Sequence, residues 1–337
     1  MRAVAFERWL ASLPSGLGLD AASLRAASAD ASFRRYLRID SALGPRIVMD
    51  APPSHEDCRP FVRMSACLRR GGLNAPEVLA FDEAGGFMLL GDLGSMTLLE
   101  AVVGRDDAYA MPFYMEAIDT LVRLQGIEVP DELPLYDRAL MRRELDLFAH
   151  WYVEVHCGVR LSPDEHAMLE RSFGLVLDAC QAQPQVLVHR DYHSRNLMVS
   201  PGPGGLGVLD FQDAVRGPVT YDLVSLLRDA YTEWDEATQI DWAVRFWQGA
   251  RAAKLPVDAD FGVFWRDFEW MGLQRHLKVL GIFARLSHRD GKDGYLSDLP
   301  RVWRYAHHVA MRYRSLGPLG MLLERLAGVQ RVSGTSF

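Results

Sequence analysis

Hydrophobic and polar residues alternate in short runs over the first 94 residues of the chain. Ser32–Asp40 and Arg46–Ala51 have this period of two, and the turn residues between them predict a hairpin. Glu77–Asp82 and Phe87–Gly91 predict two further strands, whereas Arg59–Arg70 has the spacing of three and four that is typical of a helix. A small β-rich region with one helix is therefore expected here.

Beyond residue 94 the pattern becomes mainly helical. Residues 112–125 and 137–156 repeat apolar positions at three and four, and Ser162-Pro-Asp-Glu165 is a capping box that predicts a helix from Pro163 to about Gln181. Three short strands are then predicted, at 186–189, 197–200 and 207–211. Long helices are expected from Tyr221 onwards. The predicted domains are residues 1–94, which would bind nucleotide, and residues 95–337, which would carry the remaining chemistry.

The composition is that of a soluble globular protein, with 49% hydrophobic and 24% charged residues. No apolar run reaches 18 residues, so we expect no membrane span. Glu7 and Arg8 interrupt the N-terminal apolar pattern, which argues for an amphipathic helix and against a signal peptide. The four cysteines form no C-x-x-C motif and are expected to be free thiols. A cytoplasmic location is the resulting expectation.

The net charge of −7 is distributed unevenly along the chain. Residues 95–227 hold 20 acidic and 10 basic side chains, whereas residues 228–337 hold 13 acidic and 16 basic ones. A nucleic-acid binder needs a basic surface that releases counterions from phosphates. The overall acidity therefore argues against nucleic acid as a partner. The sequence gives no indication of the oligomeric state.

The strongest chemical motif begins at His189. The segment His189-Arg-Asp191-Tyr-His-Ser-Arg-Asn196 has the spacing H-R-D-x-x-x-x-N, and Asp210 follows the apolar pair Val208-Leu209. Phosphoryl transfer needs one carboxylate to accept the proton of the attacking hydroxyl, and oxygen ligands to hold Mg²⁺ on the nucleotide phosphates. Asp191 is therefore the candidate catalytic base, and Asn196 and Asp210 are the candidate metal ligands.

With these motifs the chain resembles the aminoglycoside phosphotransferase family. Gly217-Pro-Val-Thr-Tyr-Asp222-Leu is similar to the family's G-D-P-x-x-D-L segment, although Val219 departs from its spacing. The resemblance implies an α+β, two-lobed, protein-kinase-like fold with a small β-rich N-lobe and a larger helical C-lobe. It also implies ATP and Mg²⁺ as cofactors and structural roles for His189 and Asp222. Adenine would lie against the connector formed by Leu90, Gly91, Asp92 and Leu93.

Three further segments resemble a narrower group, the anomeric amino-sugar kinases. These segments are residues 30–36, 48–53 and 272–285, and the group acts on N-acetylmuramate and N-acetylglucosamine in cell-wall recycling. The resemblance implies a small amino sugar as the substrate, and its preference between the two sugars stays open. The basic balance of residues 228–337 suits a neutral or anionic sugar better than a polycationic aminoglycoside.

Candidate sugar ligands lie on the helical segment after residue 270. Gln274, Lys278 and Arg285 share one stripe at spacings of four and seven, and Arg195 in the catalytic loop is the fourth candidate. A polar stripe is also what a solvated helix face looks like. Other acceptors, such as choline, homoserine or an aminoglycoside, remain alternatives at this point.

One departure from the kinase pattern concerns the lysine that normally binds the α- and β-phosphates. No lysine precedes Lys254, and alignment of residues 47–50 with V-A-I-K puts Asp50 in its place. Either Arg34 or Arg35 replaces that lysine, with Ser32 and Phe33 beside them as further nucleotide-binding candidates. Otherwise the chain is a nucleotide-binding regulatory pseudokinase.

Overall fold

A computed structural model of the protein describes residues 2–28, 34–199 and 205–333, with side chains described as far as residue 328. The chain divides into two compact units. Unit 1 comprises Met1–Gly104 and Arg195–Ala214, and unit 2 comprises Arg105–Ser194 and Val215–Phe337. The predicted boundary at residue 94 between a nucleotide-binding and a catalytic domain stays a prediction. The two units are defined by contacts between residues, and unit 1 also contains residues 95–104 and 195–214.

Unit 1 is built on a five-stranded antiparallel sheet. Its strands are β1 (Leu19–Ser28), β2 (Arg35–Ser41), β3 (Arg46–Asp50), β4 (Val78–Asp82) and β5 (Phe87–Gly91), in the spatial order β1-β2-β3-β5-β4. The strands after β1 and the helix α2 (Arg59–Arg70) lie where the hydrophobic pattern predicted them. The proposed start of the first strand, at residues 32 and 33, lies outside the described residues.

One face of this sheet is covered by α1 (Arg2–Ser12). Phe6 and Leu10 of α1 form a buried cluster with residues of β2, β3 and β5, including Val48 and Leu89. The hydrophobic pattern did not predict β1, whose alanine- and serine-rich sequence has low β propensity. Its pairing with β2 outweighs that weak local preference.

The second segment of unit 1 carries a short hairpin of β7 (Leu197–Met198) and β8 (Gly207–Val208). The Val208 amide donates to the Asn74 carbonyl at 2.8 Å, and the Val199 amide donates to the Met96 carbonyl at 2.9 Å. The predicted strand at 207–211 is shorter than expected. Asp210 has a φ of +62°, a left-handed conformation that ends the extended backbone. Asp210 therefore follows directly after a hairpin that backbone hydrogen bonds hold in place.

Unit 2 is mostly helical. A two-stranded sheet of β6 (Gln185–Val188) and β9 (Val215–Pro218) accompanies its helices. The helices, with α3 of unit 1 given first for numbering, are α3 (Leu98–Val102), α4 (Asp107–Gln125), α5 (Arg138–Leu147), α6 (Pro163–Gln181), α7 (Tyr221–Leu227), α8 (Glu236–Ala252), α9 (Phe261–His288), α10 (Leu299–Arg312) and α11 (Gly317–Ser333). The predicted capping box is present, since Ser162 and Glu165 cap α6 reciprocally. The pattern did not predict β9, whose Gly-Pro sequence is unusual in a strand.

The long helix α9 runs through the core of unit 2, and most of its residues from Met271 to Ala284 are buried. At Gly281 its backbone approaches the end of α5 so closely that an added Cβ would lie 2.4 Å from the Leu147 carbonyl carbon. Directly after Leu147 the chain changes to a π-helix, Phe148–His156, where a continuous α-helix was expected. The altered backbone therefore begins where α9 and α5 are in close contact.

The predicted free thiols are confirmed, because all four cysteines are buried and unbridged. Cys58 and Cys67 lie in unit 1, and Cys157 and Cys180 in unit 2. Among the helices in the described part of the chain, we find none that is both long and apolar enough to cross a membrane.

Candidate active site

The loop that follows β6 carries His189, Arg190 and Asp191, and Asp222 of α7 holds its beginning. The carboxylate of Asp222 accepts hydrogen bonds from the backbone amides of His189 at 2.7 Å and Arg190 at 3.0 Å. Arg190 has a φ of +77°, a conformation that is costly for a residue with a side chain. Complete burial raises the pKa of Asp222 to about 7, although both backbone donors favour its ionised form. The contacts are those that a bracing role for Asp222 requires.

Asp191 follows directly and is partly buried. Burial alone would raise the pKa of its carboxyl group, but the charges of Lys278, His193 and Arg275 hold the pKa below its ordinary value. The group is therefore ionised at neutral pH. An ionised carboxylate on a loop with a fixed start can accept a proton from a bound hydroxyl group.

A second carboxylate, Glu144 of α5, organises a buried network behind this loop. Its Oε1 atom lies 2.7 Å from Nη2 of Arg190 and 3.0 Å from Nζ of Lys278. The Tyr136 hydroxyl donates to Glu144, and Gln274 donates to the same carboxylate at 3.3 Å. Although burial opposes ionisation, the cations of Lys278 and Arg190 lower the pKa of Glu144. The network fixes the Arg190 side chain and neutralises one buried acid with two cations.

This network changes the interpretation of the predicted sugar-binding stripe. Gln274 and Lys278 are buried and bonded to Glu144, so the alternative of a solvated helix face is wrong for these two. Arg285 is half-buried, and burial lowers the pKa of its guanidinium group. The fourth candidate, Arg195, is exposed and belongs to unit 1. Their predicted role in sugar binding stays a prediction.

The candidate metal ligands lie together in unit 1. Nδ2 of Asn196 is 3.4 Å from one carboxylate oxygen of Asp210, and Nε2 of Gln212 donates to the other at 2.6 Å. The Leu209 amide donates to the Asn196 carbonyl at 2.9 Å, which ties the two segments through their backbones. Asp210 is exposed, and its oxygens and the amide oxygen of Asn196 are the hard ligands that Mg²⁺ prefers. The donor set therefore fits this cation.

The two candidate phosphate cations, Arg34 directly before β2 and Arg35 at its start, have different partners. Arg34 pairs with Glu56 at 2.9 Å, and its side chain is only 12% exposed. Arg35 pairs with Asp50, which is 1% exposed and also bonded to Arg2 of α1. The strand register places Arg35 directly opposite Asp50, on the sheet face covered by α1. Asp50, at the aligned position of the kinase lysine, is thus neutralised by two arginines.

The remaining nucleotide-binding candidates are Ser32 and Phe33 and the connector at residues 90–93. Ser32 and Phe33 lie outside the described residues. In the connector, the Gly91 amide donates to the Glu77 carbonyl at 2.8 Å, and Asp92 accepts two hydrogen bonds from Arg38 at 2.6 and 3.0 Å. Leu90, Gly91, Asp92 and Leu93 form one continuous stretch at the end of β5. The hydrogen bond to Glu77 and those from Arg38 fix the position of the connector.

Sequence reasoning missed three residues that surround the catalytic loop. Glu144 lies at the centre of the buried network, and Asp229 accepts hydrogen bonds from the backbone amide and hydroxyl of Ser194. Arg275 is buried within electrostatic reach of Asp191. Asp229 follows α7 closely, so its proximity to the Asp222 segment was the available signal. No sequence signal pointed to Glu144, because it lies far in sequence from the H-R-D-x-x-x-x-N motif.

The sequence of this chain is similar to a known protein family and to named relatives. The model of the phosphotransferase enzyme family matches residues 23–266. The N-acetylmuramate/N-acetylglucosamine kinase of Pseudomonas putida is 48% identical over 91% of this chain and 89% of its own length. The protein of the same name from Neisseria meningitidis is 44% identical and covers 100% of this chain and 99% of its own length.

Solved structures have the same fold at low sequence identity. Choline kinase LicA from Streptococcus pneumoniae has a TM-score of 0.61 at 12% identity, covering 90% of this chain and 99% of its own. The GDP complex of aminoglycoside 2'-phosphotransferase-IIIa has a TM-score of 0.60 at 13% identity, covering 89% and 97%. The α+β, protein-kinase-like fold class is confirmed. The chain belongs to the phosphotransferase enzyme family.

Proposed function

We propose that the protein transfers the γ-phosphoryl group of ATP to the anomeric C1 hydroxyl of N-acetylmuramate or N-acetylglucosamine, as a step of peptidoglycan recycling. The observation that carries the proposal is Asp191, an ionised carboxylate on a braced loop, in a chain 44–48% identical to kinases named for these two sugars. Its substrate is a small amino sugar, and its location is the cytoplasm.

In this mechanism Asp191 accepts the proton of the sugar hydroxyl as the phosphoryl group is transferred. The anomeric hydroxyl is more acidic than an ordinary alcohol, so a carboxylate of low pKa suits it as a base. Asp222 and Glu144 hold the loop through the backbone and side chain of Arg190. Catalysis then depends mainly on position and charge.

Asn196 and Asp210 would hold Mg²⁺ through their side-chain oxygens. When bound, the cation neutralises the charge of the nucleotide phosphates during transfer. The left-handed backbone at Asp210 and the hydrogen bond from Gln212 orient the carboxylate. Leu90, Gly91, Asp92 and Leu93 would contact the adenine.

The identity of the product tests this function. Purified protein with ATP, Mg²⁺ and each sugar is expected to give a sugar 1-phosphate, which has no reducing end and is labile in acid. Proton–phosphorus NMR coupling should connect the phosphorus to H1 of the sugar. ATP without sugar serves as the background control. Coupling to the H6 protons would contradict anomeric transfer, and tight ATP binding without turnover of either sugar would favour a regulatory pseudokinase.

Arg34 is the residue we propose in place of the kinase lysine. In kinases that lysine is held by a glutamate at the following helix, and here Glu56, just before α2, holds Arg34. Arg35 instead neutralises Asp50 on the face covered by α1. Tyr36 and Glu56 raise the pKa of Arg34 against the effect of burial, so its charge is secure.

The two arginines therefore form a matched pair for mutation. Arg34→Ala is expected to raise the KM for ATP and to lower kcat, together by roughly 10- to 100-fold, because a charge-assisted contact to phosphate is lost. Arg35→Ala should mainly lower thermal stability, because Asp50 loses one of its two partners. Steady-state kinetics and melting temperatures of both variants check this. Unchanged ATP kinetics in Arg34→Ala would contradict the assignment.

A further inference from the structure

Arg275 of α9 is a buried cation for which the described part of the chain offers no carboxylate at ion-pair distance. Its side chain is 4% exposed, and its Nη1 atom has no hydrogen-bond partner among the residues that the structure describes. Arginine remains charged in proteins, and burial of an unpaired charge is costly. A buried polar group of this kind requires an explanation, such as a partner that comes from outside the chain.

Two other arginines, the buried Arg228 and the partly buried Arg190, are each paired with a carboxylate. Arg228 lies 3.3 Å from Glu269, and Arg190 lies 2.7 Å from Glu144. Arg275 has no carboxylate at ion-pair distance within the described ranges 2–28, 34–199 and 205–328. Among the described residues it therefore differs from both arginines in having no carboxylate at ion-pair distance, although it is buried to a degree similar to that of Arg228.

The position of Arg275 relates it to the catalytic loop. Its charge favours the ionised forms of both Asp191 and Asp222, although burial still raises the pKa of Asp222, so the guanidinium lies within electrostatic reach of the loop. One turn before Arg275, α9 is in van der Waals contact with α7, since a Cβ added at Gly272 would lie 3.5 Å from Val224. Gln274 and Lys278, the polar neighbours on the same helix, are already bonded to Glu144.

We propose that Arg275 binds the carboxylate of the acceptor sugar and so determines the preference for N-acetylmuramate. The inference rests on the proposed function. N-acetylmuramate carries a lactyl carboxylate on C3, close on the sugar ring to the C1 hydroxyl that Asp191 would deprotonate, and N-acetylglucosamine has no carboxylate. A planar guanidinium matches a carboxylate with two parallel hydrogen bonds. Lys278, the other buried cation of this helix segment, is already paired with Glu144, whereas Arg275 has no carboxylate partner among the described residues.

The test compares three acceptors that differ at this carboxylate: N-acetylmuramate, its neutral carboxamide and N-acetylglucosamine. The wild-type protein should favour the acid over the carboxamide by roughly 10- to 100-fold in kcat/KM, the size of a lost charge-assisted contact. Arg275→Gln should remove that preference and should affect N-acetylglucosamine at least tenfold less. Arg275→Lys keeps the charge but not the planar group, so it should retain part of the preference.

Arg266→Gln is the matched control, because Arg266 lies on the same helix, is exposed and pairs with Asp267. Melting temperatures establish which variants are folded, and Arg275→Lys with the carboxamide decides the matter if Arg275→Gln does not fold. An acid-to-carboxamide ratio that is unchanged in the Arg275 variants would overturn the inference. An equal loss on all three acceptors would overturn it too, and would indicate that Arg275 acts through the charge of the catalytic loop or on the transferred phosphoryl group.

Failure of the proposed function gives a different result. The wild-type protein would then phosphorylate neither sugar at C1, and the inference would fall with it. Turnover of both sugars by wild type, with no role for Arg275 in their discrimination, would refute the inference alone.

Discussion

Asp191→Asn is expected to lower kcat by about 10²- to 10⁴-fold, the usual contribution of a positioned general base. Asparagine keeps the size of the side chain but cannot accept the proton of the sugar hydroxyl. The bracing contacts of Asp222 are made to the backbone amides of His189 and Arg190, so they should survive the substitution. Nucleotide affinity should therefore change little, and kcat should carry the effect.

Steady-state kinetics together with nucleotide titration by calorimetry would measure both quantities. Asp241→Asn is a suitable control, because Asp241 is exposed in the same unit and pairs only locally, with Arg245 on the same helix. Turnover by Asp191→Asn at the wild-type rate would contradict the assignment of the base. A loss of nucleotide affinity equal to the loss of kcat would instead indicate that Asp191 acts through the metal site.

Local sequence signals predicted much of this fold because they depend on neighbours in the chain. The capping box of Ser162 and Glu165 located the start of α6, and the apolar spacing of Arg59–Arg70 gave α2 with its observed bounds. The strand β1 was missed because its stability comes from pairing with β2 rather than from its own residues. Pairing across sequence is not visible in a local pattern.

The candidate site also depends on contacts between residues far apart in sequence, as the surroundings of α9 show. The spacing of Gln274 and Lys278 gave their common face on the helix, but not that this face is turned into the protein. Their partner Glu144 is more than 120 residues away in sequence, and nothing in one sequence connects them. Periodicity distinguishes the faces of a helix from each other only where one face meets solvent.

The replacement of the kinase lysine that binds the α- and β-phosphates was also only partly predictable from the sequence. The sequence showed that Asp50 takes its aligned position, and that Arg34 or Arg35 had to compensate if the protein is active. The two arginines are adjacent at the start of β2, where successive side chains of an extended chain point to opposite faces, so one site would not take both. Only the contacts of Arg34 with Glu56 and of Arg35 with Asp50 distinguish them.

Asp210→Asn is expected to weaken Mg²⁺-dependent nucleotide binding by roughly 100-fold or more, since even residues behind a metal ligand contribute 10- to 100-fold. Asparagine is the better substitution because Asp210 has a φ of +62°, a conformation that asparagine tolerates and alanine does not. The change removes the negative charge while the backbone of the segment, with its Leu209 to Asn196 hydrogen bond, is retained. Calorimetric titration with ADP, with and without Mg²⁺, measures the effect apart from turnover.

The control for Asp210 lies three residues along the chain. Asp213 is exposed in the same segment, so Asp213→Asn removes an equal charge from the neighbourhood without removing the candidate ligand. A general electrostatic effect would weaken binding similarly in both variants, whereas direct ligation predicts a large loss in Asp210→Asn alone. Loss of ADP affinity that is the same with and without Mg²⁺ would contradict the metal role. A defect confined to the KM of the sugar would place Asp210 with the acceptor instead.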